Sequence, residues 1–167
     1  AIVGRFLGSD ALASVGASSS VQFLVLGFCM GTACGFGVPI ARHFGAGDIK
    51  KLKQYFYNSI VITAVTALVL TTVCGVLCSE ILKLLSTPSN IFDDAYKYLL
   101  VIFLGIPFTL LYNLLSSVLR SVGDSKTPFV FLAISTVLNI VLDLVCVIVL
   151  KWGCMGAAIA TVVAQAI

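Results

Sequence analysis

Asn139 and Asp143 stand four residues apart in LNIVLDLVCVIVL, a run from Leu138 to Leu150 that is otherwise apolar. At i and i+4 the amide and the carboxylate share one face of a helix. A carboxylate there can take up a proton or ligate a monovalent cation, and the neighbouring amide can supply a further oxygen. The position is costly. A central Asp carries an insertion penalty of roughly 2.5–3.5 kcal/mol, so such groups as a rule face a bundle interior or a water-filled cavity and mark an ion or substrate pathway. A second reading puts Asp143 within reach of surface water, because Lys151 follows eight residues later, about 12 Å along a helix.

Other polar groups fall at membrane depth. The connector KWGCMG is short enough to make its two flanking helices antiparallel neighbours, and residues equidistant from it lie at similar depth. Asp143 is nine residues before Trp152 and Thr161 nine after, so the hydroxyl comes level with the carboxylate if the two faces meet. A threonine in an apolar helix can equally bond back to its own carbonyls. Counting in the same way about Gly123 places Asn113 near mid-membrane, where it either bonds to a neighbouring helix or lines a cavity. Tyr96, Tyr98 and Trp152 fall near the expected interfaces, the usual place for amphipathic rings.

The elements that must hold these groups follow from charge. Only 10% of the 167 residues are charged and 60% are hydrophobic, which excludes an ordinary soluble enzyme. Charge-free intervals run over Ala11–Ala41, Gln54–Ser79 and Tyr98–Leu119, and Thr127–Leu150 is broken only by Asp143. Each can hold the ~20 apolar residues of a spanning helix. The expected spans are the tail of span 1 (to about Leu7), span 2 (Ser18–His43), span 3 (Gln54–Ser79), span 4 (Asp93–Leu119), span 5 (Pro128–Leu150) and span 6 from Gly153. An opening AIVGRFLG without methionine and an apolar stretch still running at Ile167 give the expectation of a fragment cut inside helices. The fold class expected is all-α, a polytopic transmembrane bundle forming a single partial lobe over residues 1–167.

The joints carry matching punctuation. Gly45 and Gly47 are placed to end span 2 with positive φ, Asp48 to cap span 3, and Asp93 and Asp94 to start span 4; Pro128 sits at a helix start. Gly27, Gly31 and Gly35 repeat every four residues in span 2, a ridge for close helix packing or, with Pro39 and with Pro107 in span 4, a set of bending points. Loops 42–53 and 120–127 carry Arg42, Lys50, Lys51, Lys53, Arg120 and Lys126, against a diluted opposite side of Arg5, Lys83, Lys97 and Lys151, and are therefore assigned to the cytoplasm of a multi-pass plasma-membrane protein. The net charge of +3 is this loop bias and implies no nucleic acid. The six cysteines show no metal or redox spacing and read as small core residues. No nucleophile with a base, metal cluster or phosphate loop is present, so no enzyme activity and no cofactor are expected.

Taken together, IVGRFLGSDALASVG, ARHFGAGD, YLLVIFLGIPF, RSVGDSKTP, LNIVLD and GCMGAAIATVVAQ resemble, in this order, the multidrug and toxic compound extrusion (MATE) family of secondary transporters. G-D-x-x-x-P, then N-I-V-L-D, then G-x-x-G-A-A-x-A-T form the specific part of that signature. The resemblance implies two six-helix lobes that export organic, often cationic, compounds in exchange for Na⁺ or H⁺, with this chain similar to most of the N-terminal lobe. It implies that Asp143, Asn139 and Thr161 hold the coupling cation or proton, and that Tyr98 and Asn113 line the cavity. It further implies partners in the lipid bilayer, a small organic substrate and the remainder of the same chain: a second lobe and a span 1 acid falling just before Ala1. Where some members carry a second span 4 asparagine, Ser116 stands. Two rival readings were weighed. A lipid-linked oligosaccharide flippase would place cations in the cavity, and a non-transporting assembly subunit would need no Asn139/Asp143/Thr161 constellation.

Overall fold

Helices form wherever the charge-free intervals fall. The computed structural model describes residues 9–166 except 86, 88, 90, 150 and 151. The tail of span 1 with Arg5, the Leu150 end of span 5, and Lys151 lie outside the described residues. In order come α1 (Ser9–Gly45), α2 (Ile49–Leu84), α3 (Phe92–Leu104), α4 (Ile106–Ser121), α5 (Lys126–Leu144) prolonged by a π-helical turn (Val145–Val149), and α6 (Gly153–Ala166). Among the described residues there is no strand. Segments of α1, α2 and α5 are each long and apolar enough to cross a membrane, and α3 with α4 makes a fourth span bent by 43°. This is a multi-pass membrane protein of the all-α class, as expected.

The ends are chemically determined. Asp48 caps α2 by accepting from the Lys51 N–H at 3.1 Å, and Gly47 supplies the positive φ of the preceding turn, whereas Gly45 stays within the last turn of α1. Asp93 and Asp94 occupy the first turn of α3, where carboxylates complement the helix dipole. Gly123, at φ 90°, turns the chain into α5. There Asp124 accepts from the hydroxyl and N–H of Thr127 and from the N–H of Lys126. Those bonds, led by the Thr127 hydroxyl, hold the Asp124 carboxyl below the usual carboxylate range. The cap is thus intact at neutral pH and loosens only as pH falls through that lowered value. Because this cap starts α5 at Lys126, Pro128 is the third helical residue, where its missing N–H is still one of the unpaired first four.

Span 4 breaks where Gly105 and Pro107 meet. Pro107 cannot donate to the carbonyl of Phe103, which interrupts the ladder, and helix resumes with the Thr109 N–H bonding the Gly105 carbonyl at 3.1 Å. Pro39 behaves differently: α1 runs through it without a break. The glycine ridge of α1 also differs from expectation. A Cβ built on Gly27, Gly31 or Gly35 meets nothing within 4 Å, while one on Gly37 would lie 2.5 Å from Ser117 Oγ and 2.9 Å from Ser121 Oγ. Only Gly37 lets α1 and α4 approach closely. The spacing suggested a packing seam, but that seam runs along another face of the helix.

The main core lies between α1, α2 and the bent pair, around Cys29, Leu82, Leu99, Phe103, Ile106 and Leu110. Lipid tails are as apolar as these side chains, so the core holds by close packing rather than by exclusion of water. Outward positions confirm the solvent: Val76 is 76% and Phe129 69% exposed. All six cysteines are free; Cys29, Cys78, Cys146 and Cys154 are buried as small core residues, and Cys34 is exposed.

Candidate functional site

α6 is the element on which the polar groups converge. It packs between α3 and α5, and glycine permits that packing. A Cβ on Gly105 would lie 2.6 Å from Val162 Cγ2, and one on Gly156 would lie 3.1 Å from both Cys146 Cβ and Trp152 Cβ. The first contact brings the bend of span 4 onto the middle of α6. The second seats the start of α6 on the π-turn that follows Asp143.

Asn139 Nδ2 donates to Thr161 Oγ1 at 3.3 Å, joining α5 to α6. The Thr161 hydroxyl donates in turn to the Ala157 carbonyl at 2.9 Å. The back-bonded reading of this threonine holds, and the group it meets across the interface is Asn139 rather than Asp143. Its proton is spent on its own helix, and its oxygen accepts from the amide across the interface. Asp143 is half-buried, and its Oδ1 is buried with no hydrogen-bond partner among the described residues. In a low-dielectric setting an unpaired carboxylate oxygen is expensive, and a proton or a cation relieves that cost. Tyr98 is buried against Cys154 and Ala158, on the side of α3 that packs on α6. Asp143, Asn139, Thr161 and Tyr98 thus gather where α3, α5 and α6 meet.

Asn113 lies elsewhere. Its amide donates to the Thr109 carbonyl of its own helix at 2.7 Å, and it lines a cleft of about 360 Å³ between α1 and α4 with Cys34, Gly37, Ser117 and Arg120. A further cleft, of about 300 Å³, opens between α4, α5 and α6, lined by Phe108, Tyr112, Ser116, Phe131 and Gln165. At its edge Thr109 Oγ1 donates to Gln165 Oε1 at 2.6 Å and lies 3.2 Å from the Gly105 carbonyl. Neither Gln165 nor Thr109 was given a role from the sequence. Counting about a turn pairs only helices adjacent in sequence, and α4 and α6 are not. The available signal was the type itself, an uncharged amide deep in an apolar segment.

The comparisons agree with one another. The MatE family model matches residues 1–145. The probable multidrug resistance protein YoeA of Bacillus subtilis is 35% identical over 165 residues, 96% of this chain and 36% of the relative. The probable multidrug resistance protein YpnP of the same organism is 36% identical over 166 residues, 99% of this chain and 37% of the relative. A crystal structure of MATE in the bent conformation superposes with a TM-score of 0.94 at 24% identity, covering 98% of this chain and 36% of that one, a likeness of fold. The chain spans about a third of the length of these relatives. Over that span it belongs to the MATE family.

Proposed function

We propose that the complete protein is a secondary transporter, not an enzyme, that exports small organic compounds, often cationic, in exchange for Na⁺ or H⁺. This chain supplies most of one lobe, the N-terminal one, of a plasma-membrane protein. The names of its relatives support the substrate class, and the Lys/Arg excess in loops 42–53 and 120–127 supports placing those loops in the cytoplasm.

One observation carries the coupling role: the unpartnered buried Oδ1 of Asp143, set beside the Asn139–Thr161 bond. A proton on Asp143 turns that oxygen, or its mate, into a neutral group and removes the penalty of a buried charge. Na⁺ would draw instead on the carboxylate, the Asn139 carbonyl and a lone pair of the Thr161 hydroxyl, all oxygen ligands suited to a hard cation. Either ion changes the charge at the junction of α3, α5 and α6, where the titratable neighbours are Tyr98 and, beside it, Cys154. Differential ion affinity between two arrangements of these helices is what couples ion to substrate. The cleft between α4, α5 and α6, apolar and aromatic with a few polar groups, is the type of wall that holds a small organic compound.

The test is Asp143→Asn in the complete protein, read as ion-driven efflux of a cationic dye from proteoliposomes. The substitution keeps size and polarity but removes the titrating charge. The expected result is loss of ion-driven efflux with the folded yield unchanged. Efflux at the wild-type rate would remove Asp143 from the coupling role.

A further inference from the structure

Thr161 and Gln165 are four residues apart on α6 and therefore share one face, about 6 Å apart along the helix. The same face of one rigid helix is tied at two levels to two different partners. At the upper tie Thr161 accepts from Asn139 of α5, and at the lower one Gln165 accepts from Thr109 of α4. Between them Val162 sits against Gly105, so α6 has no slack at the bend of span 4. Gln165 also lines the cleft between α4, α5 and α6.

We propose that the Thr109–Gln165 bond is a latch through which a compound in this cleft acts on the Asn139–Thr161–Asp143 cluster. This rests on the coupling role proposed above. The chemistry of the two partners makes the latch reversible. A compound offering a hydroxyl or an amine N–H can donate to Gln165 Oε1 in place of Thr109. The Thr109 hydroxyl then still has the Gly105 carbonyl, 3.2 Å away, as an acceptor. No buried polar group is stranded by the exchange, so it avoids the full penalty of an unmade hydrogen bond. With the lower tie released, the Asn139–Thr161 contact is the one of the two hydrogen bonds that remains, and at 3.3 Å it is longer than the usual N–H···O range. A small rotation of α6 breaks or tightens that contact, and with it the surroundings of Asp143. The compound recognised has an apolar, flat body to lie among Phe108, Tyr112 and Phe131 and at least one hydrogen-bonding group aimed at Gln165.

By linkage, if a compound changes ion affinity, the ion changes compound affinity by the same factor. The experiment therefore measures rhodamine 6G affinity by fluorescence polarisation on the complete protein in nanodiscs, with and without Na⁺ and at acid and alkaline pH. The ratio of affinities between ion-loaded and ion-free conditions reports the coupling. Thr109→Val keeps the shape but removes the hydroxyl, and it is expected to cut that ratio by about fivefold or more, with Thr109→Ser restoring it. Melting curves matching wild type establish that each variant is folded, and Gln165→Leu, which removes the acceptor of the same bond and is expected to cut the ratio likewise, carries the test if Thr109→Val is not folded. A wild-type ratio in Thr109→Val, with Gln165→Leu merely weakening dye affinity equally in all conditions, overturns the latch and leaves Gln165 a lining residue. A wild-type protein whose dye affinity ignores both Na⁺ and pH fails at the earlier step, overturning the coupling role of the cluster and the latch with it.

Discussion

Two groups of glycines divide the molecule. Gly105 and Gly156 sit where α6 is pressed against its neighbours, and a single added methyl would lie 2.6 Å from Val162 Cγ2 at the first and 3.1 Å from Cys146 Cβ and Trp152 Cβ at the second. Gly27, Gly31 and Gly35 sit on a face of α1 where a methyl would meet nothing. The first group frames the cluster around Asp143, and the second faces away from everything described in this chain. The contrast shows that a four-residue repeat of glycines is a statement about helix shape, and that contact depends on what stands opposite. It also separates a tightly packed seam beside the proposed ion site from an open face of α1.

The largest effect expected from this contrast is at Gly105. In Gly105→Ala the new methyl would lie 2.6 Å from Val162 Cγ2, 3.3 Å from Cγ1 and 3.1 Å from the Ile102 carbonyl oxygen. Relief of the closest contact requires Val162 to change its χ1 rotamer, which a β-branched residue in a helix resists. Overpacking of this type costs about 1–3 kcal/mol, so the melting temperature of the detergent-solubilised complete protein should fall clearly below wild type. An unchanged melting curve would show that the seam gives way easily and would remove the distinction between the two groups.

A smaller effect is expected at Gly37. The new methyl of Gly37→Ala would meet the hydroxyls of Ser117 and Ser121, which can rotate, while the nearest backbone atom lies 3.6 Å away. Ser121 would have to give up its bond to the Gly37 carbonyl, now 2.9 Å, but could keep the one to its own helix at 2.7 Å. The loss should be about 1 kcal/mol, visible as a modest shift in the same melting experiment. Gly37→Ala combined with Ser117→Ala should recover part of it, because the hydroxyl nearest the methyl, 2.5 Å away, is then gone.

These cases mark where sequence reading succeeds. Spans were legible because charge is sparse and confined to loops, and caps such as Asp48 because an Asx side chain before a helix has one local use. The pairing of α5 and α6 as neighbours was legible from the shortness of KWGCMG, but not which of their faces meet. The bond between them joins Thr161 to Asn139, one turn deeper than the level counted for Asp143. Counting assumes uniform rise, and the π-turn at Val145–Val149 takes up residues without the length an α-helix would give them. The Thr109–Gln165 bond was illegible because it joins helices separated by another span. The role of each glycine was illegible because periodicity fixes which residues share a face, and says nothing of what covers it.

The smallest effect is expected on the open face of α1, and Gly31→Ala is its sharpest probe. Within this chain the substitution removes no contact and creates no overlap. Alanine is favoured over glycine inside a helix by about 1 kcal/mol, because glycine gives up more backbone freedom on folding. The melting temperature should therefore hold or rise slightly, and Gly27→Ala and Gly35→Ala should behave alike, since all three share the face. A loss comparable with that at Gly105 would mean that another part of the complete protein packs directly on this ridge. The two groups of glycines would then differ only in which segment presses on them, and the open face of α1 would become a second seam.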